Sequence, residues 1–320
     1  MITKKRILKY SFFIFTAIVM IEIGLRFFFL IAYKSISFKI LAPLAVNVNY
    51  IREKLKKDDR FFTTTHKELG FVIKPDINVK YPAREIDKNI KSVSYKTISI
   101  AGELGARDDG IDKEFWAVAL GDSYTFCYSV EIENCWTEIL ERKTGKDVLN
   151  LGVPGTGTKH QMKILEYFIK RYDKKPKIVF LMFNFTDYLD DECYTQRKNC
   201  NVFSPNTAFL FEDSFLGNFF LLGIIKTYFD VMKTKKIYLK LQEPNTDFLK
   251  IIEDICECKL ILIPAYNYPK RTDVCRKFKC VDINYRNDMF MKEHHNEKAQ
   301  EYIAERILDF LRNKNESEMR

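Results

Sequence analysis

The sequence predicts an α/β protein, with a mostly parallel sheet sandwiched between two layers of helices and one transmembrane helix ahead of it. Three observations carry this reading. Short apolar runs at 115–120, 147–153, 178–185 and 259–264 have the length of buried strands. Segments of helical length separate them, the rhythm of strand–helix–strand units whose parallel sheet is covered on both faces. A stretch from Tyr10 to Tyr33, apolar apart from Glu22 and Arg26, is long enough to cross roughly 30 Å of hydrocarbon.

The elements follow in order. Lys4, Lys5, Arg6 and Lys9 form a basic tail over 1–9, and by the positive-inside rule they place it in the cytoplasm with the remainder of the chain outside. Glu22 and Arg26, four apart, share a face of the 10–33 anchor and can pair, which lowers the cost of either in lipid. The run is too long for a cleaved signal peptide, and Ala32-Tyr-Lys-Ser35 is a poor cleavage site. Residues 34–65 are polar and basic and read as a stalk or short helices. Residues 66–114 favour extended structure packed on the domain: Lys74-Pro75-Asp76 signals a turn, and Val93 to Ile100 alternates like a strand. The α/β domain occupies 115–313. Its helices are expected at 136–143, 158–171, 248–256 and 296–312, ahead of a short tail, 314–320. Phe215 to Val231 contains Asn218, Lys226 and Asp230, and reads as an amphipathic helix against the sheet or a lid, not a second span.

Composition bounds the function classes. With 47% hydrophobic and 30% charged residues, 12 Gly and 9 Pro, the chain is neither disordered nor collagenous. Fifty-two Lys plus Arg against 43 Asp plus Glu leave a net charge of +9, but spread along the chain. No basic stripe interleaved with aromatics marks a nucleic-acid surface, so no nucleic-acid partner is expected. The 8 cysteines pair locally as Cys127 with Cys135, Cys193 with Cys200, and Cys275 with Cys280, as suits an oxidising compartment. Cys256 and Cys258 are too close for a relaxed bridge and are left free or paired elsewhere. No CxxC occurs, and no metal site is expected.

The sharpest local signal is Gly121-Asp122-Ser123-Tyr124-Thr125-Phe126, directly after the strand that ends at Leu120. A serine where a strand turns toward a helix is presented at the carboxyl edge of the sheet, where doubly wound folds bind ligands. Glycine permits the tight turn, and backbone N–H groups there can face a developing oxyanion.

That block does not stand alone. "HKELGFVIKPD", "ELGARD", "VALGDSYTF", "VLNLGVPGTGT" and "HHNEKAQEYIAERI", in this order from His66 to the last helix, resemble the blocks of membrane-anchored, extracytoplasmic members of the SGNH/GDSL hydrolase superfamily. The resemblance implies the flavodoxin-like three-layer fold of that superfamily and ester hydrolysis. Ser123 matches the nucleophile, Gly155 the glycine whose N–H joins that of Ser123 in the oxyanion hole, and His294 the general base, with neighbouring His295 the alternative. A serine hydroxyl is a weak nucleophile until a base takes its proton, and histidine titrates near neutrality.

Two positions depart from the pattern. The third block normally reads Asn-Asp; here Thr186-Asp187 stands in its place, so oxyanion donation falls to the Thr186 hydroxyl or to Asn184 two residues earlier on the same strand face. The acid usually found three residues before the histidine is replaced by Met291, or by Lys292 if His295 is the base. Glu293 and Asp288 are the nearest substitutes, and Asp122 and Asp187 are further supporting candidates. Asp187, Asp190, Asp191 and Glu192 read as a solvated acidic loop in preference to a cation site, and His160 either lines the pocket or belongs to core or surface. The expected activity is a membrane-tethered serine esterase, without cofactor, whose partners are the membrane and an acylated carbohydrate or other ester. The competing expectation is a catalytically weak or inactive relative that binds glycan or assists its acylation or assembly.

Overall fold

The computed structural model describes residues 4–36, 44, 47–56, 62–66, 68–82, 92–100, 102–110, 115–184, 187, 190–191, 215–238, 247–266, 273–291 and 294–318. Helix α1 (Lys4–Ala32) is followed by α2 (Asn49–Lys56). Six short strands come next: β1 (Thr63–His66), β2 (Gly70–Ile73), β3 (Asn78–Pro82), β4 (Ser92–Lys96), β5 (Ile98–Ile100) and β6 (Leu104–Ala106). They pair as three antiparallel ribbons, β1 with β2, β3 with β4, and β5 with β6.

The α/β layer then runs β7 (Ala117–Leu120), α3 (Trp136–Thr144), β8 (Val148–Asn150), α4 (Thr158–Tyr172), β9 (Ile178–Phe183), α5 (Phe220–Tyr238), α6 (Asp247–Cys256), β10 (Lys259–Pro264) and α7 (Asp273–Lys277). A ribbon of two-residue strands, β11 (Phe290–Met291) and β12 (His294–His295), precedes α8 (Glu297–Glu318). Strands β10, β9, β7 and β8 hydrogen-bond in that order, all parallel. In chain order this is 2-1-3-4, a doubly wound arrangement that reverses direction at β7, so the carboxyl end of β7 lies at the switch point where such folds bind ligands.

Every residue of β7, β8 and β9 is buried, which is why these strands read as continuous apolar runs and not as alternating ones. Val118 and Leu120 of β7, with Val179 and Leu181 of β9, join one core against α4 and α6. Ala117, Ala119, Phe180 and Met182 join the other, against α3 and α8. The first core also takes in Phe62, Val72, Tyr95 and Leu104 from the lead-in ribbons, so that segment is part of the domain's own packing. Strand β8 is shorter than the expected 147–153, because the chain turns at Gly152, which lies against the loop after Ser123. A Cβ there would stand 2.5 Å from the Phe126 nitrogen.

Two expectations need correcting here. The 215–231 segment does not lie on the sheet: α5 packs on α1, with Phe220 against Phe29 at 5.5 Å between ring centroids. Asn218 is bonded to Asn49 at the start of α2, and Lys226 and Thr227 to Asn47 just before it, a point developed below. Cys256 and Cys258 are bonded to each other, like Cys127–Cys135 and Cys275–Cys280. Glu257 between them adopts φ 52°, which folds the end of α6 back and brings the flanking Cα atoms to 5.0 Å. Cys193 and Cys200 lie outside the described residues. Helix α1 is long and apolar enough to cross a membrane and makes few contacts within the chain.

Candidate active site

Ser123 is held at the end of β7 by a turn that only its neighbours can build. Gly121 has φ 150°, and a Cβ on it would fall 2.0 Å from Thr125 Oγ1 and 2.9 Å from the Met182 carbonyl oxygen, so no larger residue fits. The Thr125 hydroxyl donates to the Leu120 carbonyl at 3.0 Å. Asp122 turns inward: Oδ1 accepts the Tyr124 N–H at 3.0 Å, and Oδ2 accepts the Asn184 amide at 3.1 Å. The carboxyl ends of β7 and β9 are thereby tied together behind Ser123. Burial pushes the Asp122 carboxyl up to about 7.

The imidazole arrives from the far end of the chain. His294 Nε2 lies 3.0 Å from Ser123 Oγ, within hydrogen-bonding reach, although the two residues are 171 apart in sequence. Because side chains alternate along β12, His295 points the other way, and its buried Nε2–H donates to the Ala265 carbonyl at 2.8 Å beyond β10. The neighbouring Asn296 amide donates to the Asp288 carbonyl at 2.7 Å and fixes the start of α8. The His294 ring sits between those of Tyr124, at 5.4 Å, and Tyr128, at 5.1 Å. This burial lowers its pKa to about 4, and that of His295 to about 3. At neutral pH His294 is therefore a neutral base, not an imidazolium.

The remaining sequence candidates divide into those near this pair and those engaged elsewhere. Gly155 lies in the turn after β8, with φ 73°. The Asn184 amide is committed to Asp122, and its backbone N–H donates to Asp187 Oδ2 at 3.0 Å. Asp187 is fully buried and closes the end of β9, its carboxyl pushed well up by burial and by nearby Asp122. The acidic group after β9 is not a solvated loop: Asp187, Asp190 and Asp191 are all buried. Gly157 lets the start of α4 approach so closely that a Cβ would meet Asp191 Oδ1 at 2.5 Å, and that oxygen accepts the Lys159 N–H at 2.7 Å. Asp191 thus caps α4, and burial raises it to about 7. Asp288 is exposed and pairs with Arg286 and Lys298, each at 3.2 Å, so it is engaged away from His294. His160 is a core residue, hydrogen-bonded to the backbone of Leu69 and lowered to about 3 by burial. Thr186, Glu192, Lys292 and Glu293 lie outside the described residues.

Two contributors went unassigned in the sequence. Arg107, in the "ELGARD" block, is completely buried. Its guanidinium donates to the carbonyls of Phe126 at 2.6 Å, Val130 at 2.5 Å and Cys127, between the rings of Tyr95 and Phe126. It fastens the loop that follows Ser123, and burial lowers its pKa to about 10. Asn150, at the end of β8, donates to the Thr125 carbonyl at 2.8 Å and accepts the Gly152 N–H at 3.0 Å, coupling the two turns of the site. The order of the blocks was the available signal for both: a lone Arg and a lone Asn beside glycines at strand ends.

No family model and no curated protein matches the chain. Solved structures do align with it, among them three with a TM-score of 0.35 each. A putative lipolytic protein of the G-D-S-L family from Desulfitobacterium hafniense DCB-2 is 14% identical, over 61% of this chain and 98% of its own. TesA is 13% identical over 61% and 97%. The psychrotrophic esterase EstA from Pseudoalteromonas sp., inhibited by monoethylphosphonate, is 13% identical over 62% and 98%. In its own sequence blocks, from Gly121-Asp122-Ser123 to His294, the chain resembles the SGNH/GDSL hydrolases.

Proposed function

We propose that the protein is a membrane-tethered serine esterase acting on ester-linked acyl groups outside the cytoplasm. One observation carries the reading: His294 Nε2 stands 3.0 Å from Ser123 Oγ at the switch point of the sheet. Ser123 attacks the ester carbonyl while His294 takes its proton, and the N–H groups of Ser123 and Gly155 receive the oxyanion. The imidazolium then protonates the leaving alcohol. Water, or a sugar hydroxyl, releases the acyl group by the reverse sequence. The apolar α1, the basic residues before it and the bonded cysteines support the membrane and the extracytoplasmic side, where an O-acylated envelope polysaccharide is the substrate class that fits.

The test is covalent. A fluorophosphonate probe applied to the full chain in detergent is expected to label wild type and not Ser123→Ala. Equal labelling of the two, with both folded, refutes the esterase reading.

A second reading has its own observation. Met291 is the direct cross-strand partner of His294, so an apolar side chain occupies the place beside the imidazole where an acid would stabilise it. In that reading the protein binds acylated glycan without turning it over. Met291→Asp separates the two. In an esterase the new carboxylate raises the His294 pKa, moving the acid limb of kcat/KM upward from about pH 4 by at least one unit and increasing kcat. A binding protein gains no turnover. A pH–rate profile on p-nitrophenyl acetate reads both outcomes.

A further inference from the structure

Helix α5 is apolar on more than its inner face. The face it turns to the protein carries Gly223 and the buried Thr227 beside the apolar Phe220 and Ile224, with Lys226 reaching back to it. Thr227 accepts from the Asn47 amide at 3.0 Å, Lys226 donates to Asn47 Oδ1 at 2.9 Å, and a Cβ on Gly223 would come within 2.3 Å of Val48. The face it turns outward carries Leu222, Ile225, Phe229 and Met232, one stripe at i, i+3, i+7 and i+10, with Tyr228 beside it and Phe219 and Phe215 ahead of it. These seven side chains are between 39% and 75% exposed, the reverse of what water selects and the pattern that lipid selects.

The start of α5 also has a definite depth. Glu22 of α1 accepts the N–H groups of Phe220 at 2.7 Å and Leu221 at 2.8 Å. Arg26 donates to Glu22 at 2.7 Å and to the Asn218 carbonyl. An N-terminal turn in hydrocarbon would leave its N–H groups without partners, and here a carboxylate from the neighbouring helix supplies them. Glu22 lies 13 residues beyond Lys9, the last basic residue of the cytoplasmic cluster, or roughly 20 Å along the helix, inside a hydrocarbon core of roughly 30 Å. The apolar part of α5, Phe220–Phe229, is ten residues, or roughly 15 Å, the thickness of one leaflet.

We infer that α5 is a second membrane-embedded element: it begins within the outer leaflet against Glu22 of α1, and its exposed apolar stripe faces lipid acyl chains. The inference rests on α1 crossing the membrane, as in the proposed function, but not on catalysis. The catalytic domain is then fixed to the bilayer at two places, not swung on a single tether, and it meets its substrate at a set height and orientation.

Depth-dependent quenching tests this. Tryptophan is introduced singly at Leu222, Phe229, Ile14 and Ile251 in the full chain, reconstituted in phosphatidylcholine vesicles with bromine on the acyl chains. The emission added by Trp at 222 and 229 is expected to fall at least two-fold, as it does at 14 in the anchor. Position 251, on the exposed side of α6, stays unaffected by bromine and responds to aqueous iodide. If 222 and 229 follow 251 while 14 is quenched, the stripe faces water or a protein and the inference fails with the anchor intact. If 14 is also unquenched, the anchor fails and takes this inference with it. Turnover of an ester by the same preparations reads the catalytic proposal separately.

Discussion

His294→Ala is expected to lower ester turnover at neutral pH by at least ~10⁴-fold, about as much as Ser123→Ala, and the double variant should be no slower than either. The non-additivity is the informative part, since removing the base leaves the hydroxyl unactivated and removing the hydroxyl leaves the base with nothing to deprotonate. Single-turnover rates for the three variants, with near-UV circular dichroism to confirm folding, provide the measurement. Independent losses that multiply would show that the two residues do not act as a unit. The wild-type rate should rise only through about pH 4 and then stay level to neutrality, because burial keeps the His294 imidazole neutral. The same burial disfavours the imidazolium that forms during attack, so a slow enzyme is expected.

The second large effect is on stability. Arg107→Ala removes the donor to three buried carbonyls at once and leaves a gap between Tyr95 and Phe126. Each buried acceptor stranded without a partner costs about 1–3 kcal/mol, so a loss of about 3–5 kcal/mol is expected. Arg107→Lys should restore only a minor part, since a compact ammonium does not present the flat fork that reaches all three carbonyls. Chemical unfolding in detergent, followed by tryptophan fluorescence, reads the midpoint. A shift within error of zero for Arg107→Ala would remove Arg107 from the support of the Ser123 loop.

The strands of the sheet were legible because each is short, apolar and buried on both faces: Ile178–Phe183 and Lys259–Pro264 announce themselves by hydrophobicity alone. Their order was not, since a strand's neighbours are not written in its own residues. The ribbon of β11 and β12 is invisible to periodicity because two residues make no pattern. Its geometry nevertheless decides which histidine faces Ser123 and sets Met291 beside it. The place of helix α5 is not legible for a physical reason: polar and apolar residues recur with the same helical spacing whether the helix packs on a sheet or on another helix. Asp187, Asp190 and Asp191 read in sequence as a water-facing loop, because aspartate is mostly exposed. Their burial depends on the close approach that Gly157 permits and on the N–H groups of α4 and the β9 turn that they satisfy.

The lead-in ribbons carry a practical corollary. Phe62 stacks on Phe126 at 5.0 Å, Tyr95 packs edge-on against the same ring, and the Tyr95 hydroxyl donates to the Tyr128 carbonyl at 2.6 Å. A truncation that starts at the first strand of the parallel layer would strip the aromatic lining and Arg107 from beneath the loop bearing Tyr128, one wall of the His294 slot. The shortest excised fragment able to keep its shape therefore begins upstream of Phe62, well before the stretch that a sequence comparison centred on Gly121-Asp122-Ser123 would choose.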